Sequence, residues 1–218
     1  MVPGDRVAVL APNTALALEA HFGVPLLGAV LVMLNTRLQG PELTWILHHC
    51  EAKVLLADPQ LVRPDFTPVR DDYEALLATG EAPLPEPPEP EENSVISINY
   101  TSGTTGFPKG VMYTYRGAWV NAVGEIAEHG LTNRSVYLWT LPLFHANGWC
   151  LPWAVTAAGG RHILLRQVDP KLICELIERE GVTHLCGAPV VLGSLVQYGS
   201  QHHVRVSHRV KIVTAAAP

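Results

Sequence analysis

The chain has 218 residues, of which 48% are apolar and 16% charged, so a sizeable buried core is available and wholesale disorder is excluded. A formal charge of -5 leaves no broad basic face for nucleic acid, so an anionic ligand has to be held by a local arrangement of donors. The four cysteines (Cys50, Cys150, Cys174, Cys186) contain no C-x-x-C pair and read as reduced, mostly buried thiols.

Met1–Arg6 lacks the basic-then-apolar order of a secretory leader. Arg6–Leu10 reads as a strand, with Asn13 after it as a helix cap. The longest apolar stretch, Val24 to Leu34, is about a third too short for a bilayer and is expected in a core. No membrane span is expected, and a cytoplasmic location follows. Pro41 opens a helix whose Leu43, Ile46, Leu47 and Cys50 share one face, and Lys53–Ala57 is the next strand. From Glu81 to Glu92 the sequence reads EAPLPEPPEPEE, with five prolines and five glutamates. Prolines lack donors and the glutamates repel one another, which predicts a solvated linker. It divides the chain into a first α/β subdomain over 1–80 and a second over 93–218.

Val95–Tyr100 is the next strand, and Trp119, Ala122, Val123 and Ile126 form a helical stripe ending near Gly130. Val136–Thr140 and Arg161–Leu165 read as strands. Asp169-Pro170 caps a helix through Glu180, Gly181 stops it, and a further strand lies near His184. Strands alternating with helices imply an α/β fold of mostly parallel sheets with helices on both faces. Ligands of such folds gather at the carboxyl ends of the strands.

Directly after the Val95–Tyr100 strand comes Thr101-Ser102-Gly103-Thr104-Thr105-Gly106-Phe107-Pro108-Lys109-Gly110. Its glycines let the backbone approach a bulky ligand, its four hydroxyls add rotatable donors, and Lys109 supplies a compact positive charge. Together they make a phosphate-holding loop. It is not the Walker loop, which needs Lys followed by Ser or Thr, whereas Lys109 lies between Pro108 and Gly110. His202, His203 and His208 fit no metal template by spacing and read as a solvated loop.

The ten-residue stretch resembles the phosphate-loop signature of the adenylate-forming superfamily: acyl-CoA synthetases, luciferases and the adenylation domains of peptide synthetases. The resemblance continues in order through Gly4–Ala8 with Pro12-Asn13, Leu34–Leu38, Pro142–Trp149, and Ala215-Ala216-Ala217-Pro218, where the superfamily usually has glycine in the first place. It implies part of that fold's large N-terminal domain and a two-step reaction using ATP, Mg²⁺ and coenzyme A. A carboxylate attacks the α-phosphorus of ATP, and a thiol then takes the acyl group. No side-chain nucleophile is needed, so catalysis rests on positioning and on neutralising phosphate charge.

By the same resemblance, Thr101, Ser102, Gly103, Thr104, Thr105, Gly106 and Lys109 hold the β- and γ-phosphates, with Thr101 near the metal. Ala215, Ala216, Ala217 and Pro218 lie against adenine. His145 and Lys109 are the catalytic candidates, His145 standing between the acyl carboxylate and the nucleotide. Asn147, Trp149, Gly187, Ala188 and Pro189 border the acyl group, although Trp149 reads equally well as a plain core residue. Amino-acid-activating relatives usually carry aspartate where this chain has His145. With Leu141, Trp149, Leu151 and Trp153 around it, a small-molecule carboxylic acid with a fatty or other apolar acyl part is the expected substrate, of a chain length that the sequence does not set. An amino-acid or aryl-acid adenylation domain and a non-catalytic nucleotide-binding fragment are the alternatives. The superfamily's later Tyr-Gly-x-Thr-Glu segment and lysine-bearing domain do not occur in these 218 residues. The expectation is therefore a portion of an acyl-CoA synthetase, incomplete at both ends and inactive alone.

Overall fold

The computed structural model describes residues 1–62, 73–80, 86, 89–101 and 107–214. The first sheet comprises β1 (Arg6–Leu10), β2 (Val30–Met33), β3 (Ala52–Ala57), β4 (Val95–Thr101) and β5 (Lys109–Thr114), in the order β3-β1-β2-β4-β5. All neighbours in it are parallel except β5, which returns antiparallel along β4. The second sheet is wholly parallel, in the order β7-β6-β8-β9, from β6 (Val136–Trp139), β7 (Arg161–Leu164), β8 (His184–Cys186) and β9 (Lys211–Val213).

Helices fill three layers around these sheets. Helix α1 (Ala15–Leu26), α4 (Tyr115–His129) and α6 (Leu151–Ala157) lie between them, in a core shared by Val7, Val9, Leu16, Ala122, Trp139 and Leu151. Helix α2 (Gly40–His49) covers the outer face of the first sheet, where Ala8 and Leu10 meet Leu43 and Ile46. Helix α7 (Pro170–Glu180) and α8 (Pro189–Gln201) cover the outer face of the second, through Ile173, Ile177 and Leu192. A short α3 (Tyr73–Ala78), a tight turn, α5 (Ala146–Trp149), and a 3-10 turn over Pro59–Leu61 complete the described helices. Strand β1 shows why both faces are greasy: successive side chains alternate, so Val7 and Val9 face one layer while Ala8 and Leu10 face another.

Local signals set the boundaries. Gln39 and Glu42 form a capping box around Pro41 at the start of α2. The Asp169 carboxylate accepts from the amides of Lys171 and Leu172, and Gly181, at φ +65°, closes α7 in the left-handed conformation that glycine adopts without strain.

The sheets do not divide where the composition does. Strand β4 pairs in parallel with β2, so strands from both sides of residues 81–92 share the first sheet, and the change of sheet falls after β5. Apolar β2 needed a second partner, and β4 provides it across the Pro/Glu stretch. Residues 81–85, 87 and 88 of that stretch lie outside the described residues. Asn13 is not a helix cap; Thr14 holds that position, without a side-chain bond. The stripe on α4 is also turned from the expected one. Ala118 and Ala122 are buried where α4 packs closely on α6, while Trp119 and Val123 face solvent. No helix among the described residues is long and apolar enough to cross a membrane.

Candidate active site

In β4, Ile98 and Tyr100 point toward α2, while Ser97 and Asn99 are buried on the opposite face. The strand ends at Thr101, which pairs with Lys109 at the start of β5. Directly opposed residues of an antiparallel pair project to the same face, with Cβ atoms about 5 Å apart. A hydroxyl and an ammonium, both on exposed residues, therefore stand side by side at the carboxyl end of the parallel sheet. Lys109 forms no ion pair among the described residues, so its charge is available to an anion. Ser102, Gly103, Thr104, Thr105 and Gly106 lie outside the described residues. The ring of Phe107, just beyond them, stacks on Trp45 of α2 at 5.1 Å and 11°.

His145 is exposed and stands at the head of α5. Two buried clamps fix the segment that carries it. After β1, the Asn13 amide donates to the carbonyls of Trp139 (2.9 Å) and Leu141 (2.8 Å), and its Oδ1 accepts from the amide of Leu143 (2.8 Å). From β4, the Asn99 Oδ1 accepts from the Asn147 backbone amide (2.9 Å), and Ser97 Oγ accepts from Asn147 Nδ2 (2.7 Å). The strand leading to Thr101 thus holds the turn leading from His145. Asn147, expected to border substrate, is fully buried and acts as a strut. Its Oδ1 and the Nδ2 of Asn99 are buried without a partner among the described residues.

Residues 146–150 all have positive φ, from +39° at Asn147 to +59° at Cys150. Such a conformation costs roughly 1–2 kcal/mol for each residue with a Cβ. It persists where the surroundings over-determine it, which is a mark of functional turns. Gly187, Ala188 and Pro189 follow β8, whose last residue is tied to Thr140 after β6. Thr140 donates its hydroxyl to the Cys186 carbonyl, and the Gly187 amide donates to Val213 (2.9 Å). Gly187 is buried, Ala188 half-buried and Pro189 exposed as the first residue of α8. Ala215, Ala216, Ala217 and Pro218 follow β9 and lie outside the described residues.

Trp149 is half-buried and borders a cavity of about 500 Å³ between β5, α4 and the strained turn. Met112, Ala118 and Ala146 give it apolar walls, and Tyr113, Asn121 and Glu125 bring polar groups to it. Burial pushes the Glu125 carboxyl upward, and the neighbouring His129 draws it back.

A family profile described as AMP-binding enzyme matches residues 1–218. The chain belongs to the AMP-binding enzyme family. Within that family it is 36% identical to an acetate/butyrate–CoA ligase of Arabidopsis thaliana named as peroxisomal, over 99% of this chain and 44% of that one. It is 40% identical to a 4-hydroxybutyrate–CoA ligase of Metallosphaera sedula, over 98% and 44%. The chain thus spans less than half the length of these relatives. Among solved structures, the N-terminal domain of a Mycobacterium tuberculosis protein, FACL13, superposes with a TM-score of 0.88 at 27% identity, covering all of this chain and 58% of that one. The Bacillus subtilis o-succinylbenzoate–CoA synthetase bound to its acyl-adenylate superposes at 0.87 with 26% identity, covering 100% and 57%. This AMP-binding enzyme chain therefore carries a large part of the family's N-terminal architecture.

Sequence reasoning missed Asn13 as a clamp, Ser97 and Asn99 as its counterparts, and Asn121 and Glu125 as cavity residues. A signal was present for Ser97 and Asn99, two polar residues alternating with isoleucines in a strand destined for burial on both faces.

Proposed function

We propose that the protein of which this chain forms part activates a small carboxylic acid as its adenylate and transfers the acyl group to coenzyme A. The carboxylate oxygen bonds to the α-phosphorus of ATP as the bond to pyrophosphate breaks. The thiol sulfur then bonds to the acyl carbon as AMP departs. The observation that carries the reading is the bonding of Asn147 to Asn99 and Ser97. It ties the His145 turn to the strand that ends at Thr101, so donors for phosphate and a histidine for the acid share one edge.

Lys109 and the loop from Thr101 neutralise and orient the polyphosphate, which is worth most where water is thin. His145 holds the reacting carboxylate against the nucleotide, Gly187–Pro189 close the side toward the second sheet, and Ala215–Pro218 flank adenine. Trp149 walls the acyl cavity. The neutral hydroxyl of Thr101 fits Mg²⁺, which keeps most of its waters and travels with substrate phosphates rather than needing a cage of carboxylates. Bound there, the ion would spread the charge of the departing pyrophosphate. Short acids named for two relatives, acetate/butyrate and 4-hydroxybutyrate, support a small-acid substrate. Turnover is assigned to the intact protein rather than to these 218 residues, and its location to the cytoplasm.

The test is acid-dependent exchange of labelled pyrophosphate into ATP by the intact protein. Lys109→Ala is expected to lower kcat/KM for ATP by on the order of a hundredfold or more. Exchange by Lys109→Ala at the wild-type rate would overturn the assignment.

A further inference from the structure

The cavity behind Trp149 is not uniformly apolar. Helix α4 presents Gly117, Asn121 and Glu125 to it, spaced four residues apart and so on one face. Asn121 is held toward the turn by donating to the Trp149 carbonyl at 3.4 Å. Glu125 uses Oε2 to meet Nε2 of His129 at 2.9 Å. Its Oε1 has no hydrogen-bond partner among the described residues, although the side chain is only 19% exposed. The phenol of Tyr113 lines the same space from β5. A cavity built for a plain alkyl chain has no use for a half-buried carboxylate with an unoccupied oxygen, because an apolar occupant would strip water from that oxygen and give nothing back.

We propose that Glu125 is a specificity-determining residue, and that the acids admitted carry a second, hydrogen-bond-donating group, a hydroxyl or an amine, that Glu125 accepts. The carboxylate to be activated must point the other way, toward His145, since two carboxylates in one half-buried space repel each other. Dicarboxylic acids are excluded by the same repulsion. Asn121 supplies both a donor and an acceptor one helical turn away, so it steers the second group rather than choosing its charge. The inference rests on the acid-activating reading above and narrows its substrate class.

The experiment compares pyrophosphate exchange by the intact protein with straight-chain acids of four to six carbons, their ω-hydroxy and ω-amino counterparts, and the matching dicarboxylic acids. The expected result is a kcat/KM about tenfold or more higher for an ω-hydroxy or ω-amino acid than for the alkanoate of equal length, with dicarboxylic acids lowest. Whichever of the two donors leads identifies the group. Glu125→Gln, which keeps size and hydrogen bonding, should relieve the rejection of dicarboxylic acids, raising their kcat/KM relative to the alkanoate of equal length. A merely structural Glu125 would lower all acids alike and leave their ratios unmoved. Alkanoates matching or exceeding their hydroxy and amino counterparts in the wild type would overturn this proposal and leave acid activation standing. Exchange with none of the acids would remove the underlying reading instead.

Discussion

Asn13 uses its amide group on the segment between Trp139 and Leu143, through two donated bonds and one accepted bond. Removing the side chain leaves two carbonyls and one amide short of a partner in a buried place, at a typical cost of 1–3 kcal/mol for such a group. Asn13→Ala is expected to destabilise the fold by about 2–4 kcal/mol, read as a shifted urea midpoint with an unchanged m-value. Activity should fall further than stability explains, because the freed segment carries His145. Equal midpoints for wild type and Asn13→Ala would show that the clamp is idle. Nothing in the sequence around Asn13 announces this role. An asparagine after a strand and before a helix has a local use as a cap. The actual partners lie 126 to 130 residues away.

At the scale of elements, the turn over 146–150 is the place where local preference and tertiary demand disagree. Residues other than glycine avoid positive φ, yet Ala146, Asn147, Trp149 and Cys150 all adopt it here. Gly148 sits at φ +50°, and a Cβ added to it would meet Cζ3 of Trp139 at 2.7 Å. Both backbone and space therefore require glycine. Gly148→Ala is expected to cost about 2–4 kcal/mol, since fully buried Trp139 cannot move aside. A lowered melting temperature and altered near-ultraviolet circular dichroism would register it, and a wild-type spectrum would contradict the packing argument. The regular elements were easier to read. Arg6–Leu10 coincides with β1, and the Asp169 to Gly181 helix with α7, because β-branched runs and caps act locally. The stripe on α4 was misread for a related reason. Periodicity reports that a helix has faces, but the space left by α6 decided that Ala118 and Ala122, rather than Trp119, go inward.

For the whole molecule, the question is what joins two sheets that each have their own core. Beyond the shared middle layer, Arg166 after β7 grips Asp58 after β3 with two bonds, of 2.7 and 2.9 Å. The guanidinium holds the Asp58 carboxyl below its usual range, so this contribution is present at neutral pH and fades only as pH falls through the carboxylate range. The middle layer responds earlier to acid. His21 is fully buried, with Nδ1 on the Ala17 carbonyl and Nε2 without a partner among the described residues, and burial lowers its pKa to about 4. His162, stacked on Trp139 and accepting from its Nε1, is lowered to about 4 by the same cause. Both are neutral when folded and take up a proton near pH 6.5 when unfolded. The unfolded state therefore binds more protons between pH 6.5 and 4, and stability must fall as pH falls through that window. For His21 the slope approaches about 1.4 kcal/mol per pH unit, or roughly 3 kcal/mol in all. Urea midpoints at pH 7, 5.5 and 4.5 should decline for the wild type and decline less for His21→Leu, which fills the same apolar site without a titrating ring. Parallel curves for the two would mean that the interlayer histidine takes up its proton alike in the folded and unfolded states, so that water reaches it despite its burial.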